Sequence, residues 1–268
     1  MRDVAVVGSL TSDVVADGAP RVGGAPFYAA AALRLLGRPS LVVTRCAERD
    51  RSVLLPPLVA QGPPVEWHAS ERTFRYRFSY DGGARTMAVE ETAEPWLPGP
   101  WLDDLRRCDA VHVGALAQGE FPDETLAALA RGRRLSLDGQ GLVRAAGPGP
   151  LRLEQLEDRS LLRHVSILKL AEEEAAVLAG GTDPDALAAL GVPEVVLTRG
   201  EAGAVIVTRS GADEVPALSV PAADPTGAGD AFSVAYLVSR TAGLGPVSAA
   251  RRATAIVAEM LIRRSRRR

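Results

Sequence analysis

Lysine is nearly absent from this 268-residue chain: Lys169 stands alone among 31 basic residues, and every other one is arginine. A phosphate loop of the GxxxxGK[ST] kind needs a lysine directly after glycine, and Lys169 follows Leu168, so that device is excluded. Cysteine is scarce too. Cys46 and Cys108 are too few for a disulfide framework, and no Cys/His cluster suggests zinc, which makes a reducing cytoplasm the expected setting. No apolar run approaches the roughly 20 residues of a membrane span. The apolar stretch 4–7 behind Met1-Arg2-Asp3 is too short for a secretory core. A net charge of -2 argues against a general nucleic-acid binder. The arginines at 263, 264, 266, 267 and 268 read as a frayed, solvated tail.

What is present is ordinary globular material, 47% hydrophobic and 24% charged. Short apolar runs at 4–8, 41–44, 110–113, 134–137, 165–168 and 194–198 alternate with helical periodicity at 27–36, 123–130, 172–179 and 185–190. Alternation of this kind predicts an α/β fold, with a largely parallel sheet and right-handed crossovers. Residues 71–91 break the rhythm. Thr73-Phe74-Arg75-Tyr76-Arg77-Phe78-Ser79-Tyr80 alternates aromatic with polar residues, and Asp81-Gly82-Gly83 is a turn signal. With residues 11–17, this hairpin predicts a small, half-exposed β-layer projecting from the body as a lid.

The chemistry concentrates in Val220-Pro221-Ala222-Ala223-Asp224-Pro225-Thr226-Gly227-Ala228-Gly229-Asp230-Ala231-Phe232. An extended segment turns through two glycines and enters an apolar helix over 231–239. Amides freed by glycine, with the positive end of the helix behind them, make an anion site that needs no lysine. Phosphate recognition is therefore expected to rest on the amides after Thr226. Asp230, read alone, is a helix cap. Beside an anion hole, the same carboxylate suits removal of a proton from an alcohol during phosphoryl transfer. The stretch lacks the last glycine of a dinucleotide fingerprint and does not open the first βαβ unit.

Asp224-Pro225-Thr226-Gly227-Ala228-Gly229-Asp230-Ala231-Phe232 resembles the second signature of the ribokinase-like (PfkB) carbohydrate and nucleoside kinases, D-T-T-G-A-G-D-x-F, with Pro225 at the middle position. Val22-Gly23-Gly24-Ala25-Pro26-Phe27-Tyr28 resembles the first signature. Between them, Lys169-Leu170-Ala171-Glu172-Glu173-Glu174 is similar to K-P-N-x-x-E, and Thr198-Arg199-Gly200-Glu201-Ala202-Gly203 to the nucleotide loop T-x-G-x-x-G. These landmarks keep the family order and span nearly the whole chain.

The resemblance implies a three-layer α/β/α sandwich with a mostly parallel central sheet and a small β-sheet lid, in one domain over 1–268. It implies transfer of the ATP γ-phosphate to a hydroxyl of a sugar or polyol. Asp230 would be the general base, and the amides of Gly227, Ala228 and Gly229 the anion hole. Asp13, Gly23, Gly24 and Tyr28 would meet the small polyhydroxylated acceptor, with Asp138 nearby at the sheet edge. Thr198, Gly200, Gly203 and Thr226 would hold the nucleotide, with the helix around 249–258 bordering adenine. Glu174 would organise water around Mg2+, and Asp224 would hold a monovalent cation, K+. Several relatives dimerise through their lids, so a homodimer is a further expectation; a membrane or nucleic-acid partner is not.

Three departures bear on this. Tyr28 stands where the first signature has Asn, changing pocket size and hydrogen-bond donors. Ala171 replaces the Asn of N-x-x-E. No glycine-containing strand follows the last helical stretch, which bears on the cation site and the adenine wall. Compact length, Tyr28 and Asp-Pro-Thr resemble a plant-type myo-inositol kinase subgroup. Two alternatives stay open: a nucleoside kinase that stacks a base on Tyr28 or Phe27, and a catalytically impaired ligand-binding protein on the same fold.

Overall fold

In chain order the elements are β1 (Asp3–Ser9), β2 (Thr11–Val15), β3 (Arg21–Gly23), α1 (Ala25–Leu36), β4 (Ser40–Ala47), α2 (Glu48–Val59), β5 (Val65–Ser70), β6 (Phe74–Asp81) and β7 (Ala84–Glu91). There follow β8 (Cys108–Val113), α3 (Asp123–Ala130), β9 (Arg134–Asp138), α4 (Gln140–Val143), β10 (Gly149–Pro150), β11 (Ile167–Ala171), α5 (Glu172–Leu178) and α6 (Pro184–Ala188). The chain closes with β12 (Glu194–Thr198), β13 (Ala204–Thr208), β14 (Gly211–Val215), α7 (Ala228–Thr241) and α8 (Pro246–Ser265). This computed structural model describes residues 3–16, 18–81, 84–220 and 224–266. Asp17 of the expected lid, Gly82 and Gly83 of its turn, Pro221 to Ala223 of the extended segment before the signature, and Arg267 and Arg268 lie outside the described residues.

Nine strands form the central sheet in the order β14-β13-β12-β11-β9-β8-β1-β4-β5. All pairings from β12 to β5 are parallel, and β13 and β14 add antiparallel strands at one edge. Helices cover both faces, so the inner strands read as unbroken apolar runs. In β1, Ala5 and Val7 join a core with Leu126, Leu129, Ala175 and Leu178. Val4 and Val6 point the other way, into a core with Ala29, Leu33, Val234 and Ala253. The period-2 alternation of one strand thus divides the α/β/α layers.

The second sheet has the order β10-β7-β6-β2-β3. Its β6 turns Phe74, Tyr76 and Phe78 inward onto Leu116 and Ala117, which follow β8 at the carboxyl edge of the large sheet. The aromatic face of the hairpin therefore seats the lid over the edge where ligands of open α/β sheets collect.

The structure shifts some expected boundaries. The strand expected at 165–168 runs from Ile167 to Ala171, placing Lys169 inside it. The helix expected from 231 starts at Ala228. Strands β3, β5, β13 and β14 were not anticipated, nor was α2, which accommodates Pro56 and Pro57 in its last turn. The arginine tail is corrected as well: α8 runs through Arg263 and Arg264 to Ser265, because Met260 continues its buried face. Among the described residues, no helix is long and apolar enough to cross a membrane.

Candidate active site

At the lid end, Asp13 in β2 accepts a 2.6 Å hydrogen bond from Thr11 Oγ1. Thr11 pairs with Gly23 across the β2–β3 ladder. A Cβ on Gly23 would lie 2.1 Å from Asp13 Oδ2, so a side chain there would displace this carboxylate from its place. Gly24 caps α1, and Tyr28 lies one turn in. The Tyr28 ring packs against Gly227, whose φ of +76° is left-handed; a Cβ there would come within 2.2 Å of the ring. Burial, then the charges of Asp13 and Asp230, hold the Tyr28 phenol well above its usual value, so it stays a protonated donor between two carboxylates. A cavity of about 750 Å³ opens beside it, with Asp13, Arg21, Phe27, Asp224 and Arg264 in its wall. The expected acceptor residues Asp13, Gly23, Gly24 and Tyr28 are thus brought together.

The anion site forms where α7 begins. Gly227 is its cap, and first-turn amides have no carbonyl of their own helix to bond. The Ala228 amide is engaged by the Pro225 carbonyl at 2.9 Å, which leaves those of Gly229 and Asp230 as helical donors for an anion. Lys169 comes up beneath them. A Cβ on Gly229 would stand 3.2 Å from Lys169 Nζ. The parallel register sets Lys169 beside Asp138, and Nζ lies 3.3 and 3.4 Å from the two Asp138 oxygens and 3.8 Å from Glu174 Oε2. Amides alone do not make this site: the one lysine of the chain stands against it.

All three partners are buried. Burial opposes the Lys169 ammonium, but the carboxylates of Asp138, Glu174 and Asp230 outweigh it and hold its pKa above the ordinary lysine value. Asp230 moves differently. Burial first, then the negative charge of Asp138, pushes its carboxyl up to about 7, while Lys169 and Arg144 pull it down. A carboxylate with that proton affinity is matched to proton abstraction near neutral pH.

Along the same edge, Thr198 ends β12 beside Ala171, and its hydroxyl donates to the Leu170 carbonyl at 3.1 Å. Gly200 opens a single 3-10 turn that Gly203 closes, with the Arg199 amide bonded to the Gly203 carbonyl at 2.8 Å. Glu174 Oε2 accepts from the Ala171 amide at 2.8 Å, so its capping role uses the backbone of 171 and does not need the side chain of asparagine. In the helix expected to border adenine, Ala249, Ala250 and Ala253 are buried in the core shared with α7, while Arg251 and Ala255 are exposed and Arg252, Thr254, Ile256 and Val257 partly so.

The carboxylates of Asp138, Glu174 and Asp230 converge on Lys169, and no group of three or more metal-binding side chains is poised for a metal among the described residues. That donor set suits a Mg2+ carried on donor phosphates with most of its water shell, and not a cage built by the protein. Asp224 Oδ1 accepts from the Thr226 amide at 3.1 Å and its hydroxyl at 2.6 Å. The Thr226 carbonyl accepts from Arg264 Nη1 at 2.5 Å. Sequence reasoning missed Arg264 and undervalued Lys169. The signal for Arg264 was the i,i+4 spacing from Met260, which places both on one helix face.

The fold is that of ribokinase-family kinases. It matches a pyrophosphate-dependent kinase in the ribokinase family, complexed with a pyrophosphate analog and myo-inositol, with a TM-score of 0.83, 25% identity, and 96% of this chain and 94% of that one covered. An Arabidopsis thaliana ribokinase complexed with ribose and ATP shares the fold at a TM-score of 0.75 and 20% identity, covering 96% and 91%. Residues 65–266 match the profile of the pfkB family carbohydrate kinases, and the chain belongs to that family. It is 31% identical over 239 residues to a fructokinase of Rhizobium leguminosarum bv. trifolii, covering 82% of this chain and 72% of the relative. It is 29% identical over 265 residues to an inositol 3-kinase of Oryza sativa subsp. japonica, covering 91% of this chain but only 64% of that protein's length.

Proposed function

We propose that the protein transfers a phosphoryl group to a hydroxyl of a small sugar or polyol, with Asp230 as general base. The observation that carries this is Asp230 itself: a carboxyl pushed up to about 7, at the start of α7, beside the Gly229 amide and Lys169. Asp13 accepts hydrogen bonds from acceptor hydroxyls beside Gly23 and Gly24, and the Tyr28 phenol donates one. As the acceptor oxygen attacks the terminal phosphorus of the donor, Asp230 takes its proton. The bond from that phosphorus to the bridging oxygen breaks, so that the rest of the donor (ADP where the donor is ATP) leaves. Charge growing on the transferred group meets the amides of Gly227, Gly229 and Asp230 and the Lys169 ammonium, which Asp138 keeps charged and aimed.

The donor is ATP, bound along Thr198, Gly200, Gly203 and Thr226. Glu174 would hold Mg2+ on these phosphates through water, and the ion would supply neutralisation of their charge. Pyrophosphate is a second reading, supported by the named donor of a 25%-identical structural relative. Residues 1–268 work as one domain in a reducing cytoplasm, where the buried Cys46 and Cys108 persist as thiols. A homodimer through the β-lid belongs to the same proposal, and a monomeric mass in light scattering rejects it.

Phosphorus NMR tests the activity. The protein is incubated with Mg2+, either ATP or pyrophosphate, and fructose, ribose, myo-inositol or a nucleoside. A new phosphate monoester on a sugar or inositol is expected. A monoester formed on nucleosides alone would assign a nucleoside kinase, and none with either donor would favour the ligand-binding alternative.

A further inference from the structure

Arg264 lies on the last turn of α8 and reaches back to the signature loop. Its Nη1 donates to the Thr226 carbonyl at 2.5 Å, and its guanidinium carbon lies 5.4 Å from the centroid of the Tyr28 ring. Thr226 directly precedes Gly227, the cap whose geometry sets the first amides of α7. One side chain therefore touches the carbonyl behind the anion hole and the ring packed on its turn.

Family resemblance implies a monovalent cation at Asp224 and Thr226, and the residues present do not fit one. A cation shell needs carbonyl and carboxylate oxygens that are open to it. The Thr226 carbonyl already accepts from a guanidinium, and Asp224 Oδ1 already accepts two hydrogen bonds from Thr226. A second positive charge within a few ångströms of Arg264 is repelled. Asp13, Asp224, Arg21, Arg34 and Arg263 also face this cavity, so the basic side chains about it outnumber the acidic ones.

We infer that Arg264 is the built-in cation of this loop, a positioning residue that does the work of a bound monovalent ion and makes the protein indifferent to K+. Arginine suits the place because its charge persists at any working pH and its flat face rests on an aromatic ring. It holds residues 224–227 and keeps Tyr28 seated on Gly227. The inference rests on the kinase reading only for what the amides bind; the replacement of the ion does not depend on it.

The test uses the full chain in buffers whose only monovalent cation is K+, Na+ or tetramethylammonium. Wild-type melting temperature is expected to agree among them within about 1 °C, and kcat within about twofold. Arg264→Ala is expected to melt lower in tetramethylammonium and to recover about 2–4 °C with added K+ or millimolar guanidinium, as a restored ligand would give. Its kcat should fall at least about tenfold with a smaller change in acceptor KM, and guanidinium should return part of it. K+-specific stabilisation or activation of the wild type overturns the inference. So does an Arg264→Ala loss that neither cation relieves, since that marks packing alone. If Arg264→Ala does not fold, Arg264→Lys keeps the charge and must remain indifferent to K+; acquired K+ dependence overturns the idea. If no donor and acceptor pair gives turnover, the kinase reading fails while the melting comparison still decides this one.

Discussion

Replacing Asp230 with asparagine separates catalysis from stability, because the two should move in opposite directions. Burial and the charge of Asp138 raise this carboxyl from 3.8 to about 7 against the pull of Lys169 and Arg144. Between those two values the folded protein holds a proton that the unfolded chain has lost. Stability therefore falls as pH rises through the window, the reverse of a salt-bridged carboxylate. About three pKa units at 1.36 kcal/mol each set a ceiling of about 4 kcal/mol on the cost of ionising Asp230 in place. Asparagine carries no such cost. Asp230→Asn is thus expected to be more stable than wild type at pH 8, by at most about 4 kcal/mol, with the gain shrinking toward pH 5. Its turnover should nevertheless fall roughly 10²–10⁴-fold, the usual worth of a general base. Urea melts at the two pH values and steady-state rates with the best acceptor measure both effects. In the wild type, kcat/KM should climb with pH about a midpoint near 7, where Asp230 becomes a base. A folded Asp230→Asn protein that turns over normally would refute the assignment, and a pH-independent stability difference would refute the electrostatics.

Other perturbations probe separate parts of the site. Lys169→Met removes a charge that stabilises ionised Asp230, so the pH midpoint should move alkaline while kcat falls at least about 100-fold, read from one pH–rate series. Tyr28→Phe keeps the ring on Gly227 and loses the donor; acceptor KM should rise about tenfold with little change in melting temperature. Gly227→Ala must hold φ near +76° and push into the Tyr28 ring, so a loss of about 1–3 kcal/mol is expected in denaturant melts. His112, which is pushed down to about 4 by burial, is neutral inside and charged when unfolded. Its own contribution to stability should therefore fall as pH drops from about 6.5 to 4, opposing that of Asp230, so the stability of His112→Leu relative to wild type should rise across that window in denaturant melts.

What was legible in the sequence was whatever a local pattern specifies. Strands such as β1 and β12 announce themselves as short apolar runs, and the lid hairpin as aromatic alternation around Asp81. Turn chemistry located the start of α7 to within three residues, with Gly227 as the cap and Asp230 in the first turn. The rest required neighbours that are distant in sequence. Lys169 is 60 residues from Gly229, and only the parallel register of β9 and β11 beside α7 puts its ammonium, Asp138 and the first-turn amides in one place. Ala171 departs from N-x-x-E in a chain with no asparagine at all, yet the Glu174 bond goes to the backbone amide of 171, a contact that a motif written in side chains does not display. Among the C-terminal arginines Arg264 was misread for a related reason, while Arg263 and Arg266 are exposed. Charge density suggested a solvated tail, yet a helix four residues past buried Met260 carries its next same-face residue back to the same wall. There Arg264 meets Thr226 and Tyr28. A chain so short of lysine thus places its single one under the anion site and one arginine behind it, and each is fixed by a contact that no linear motif contains.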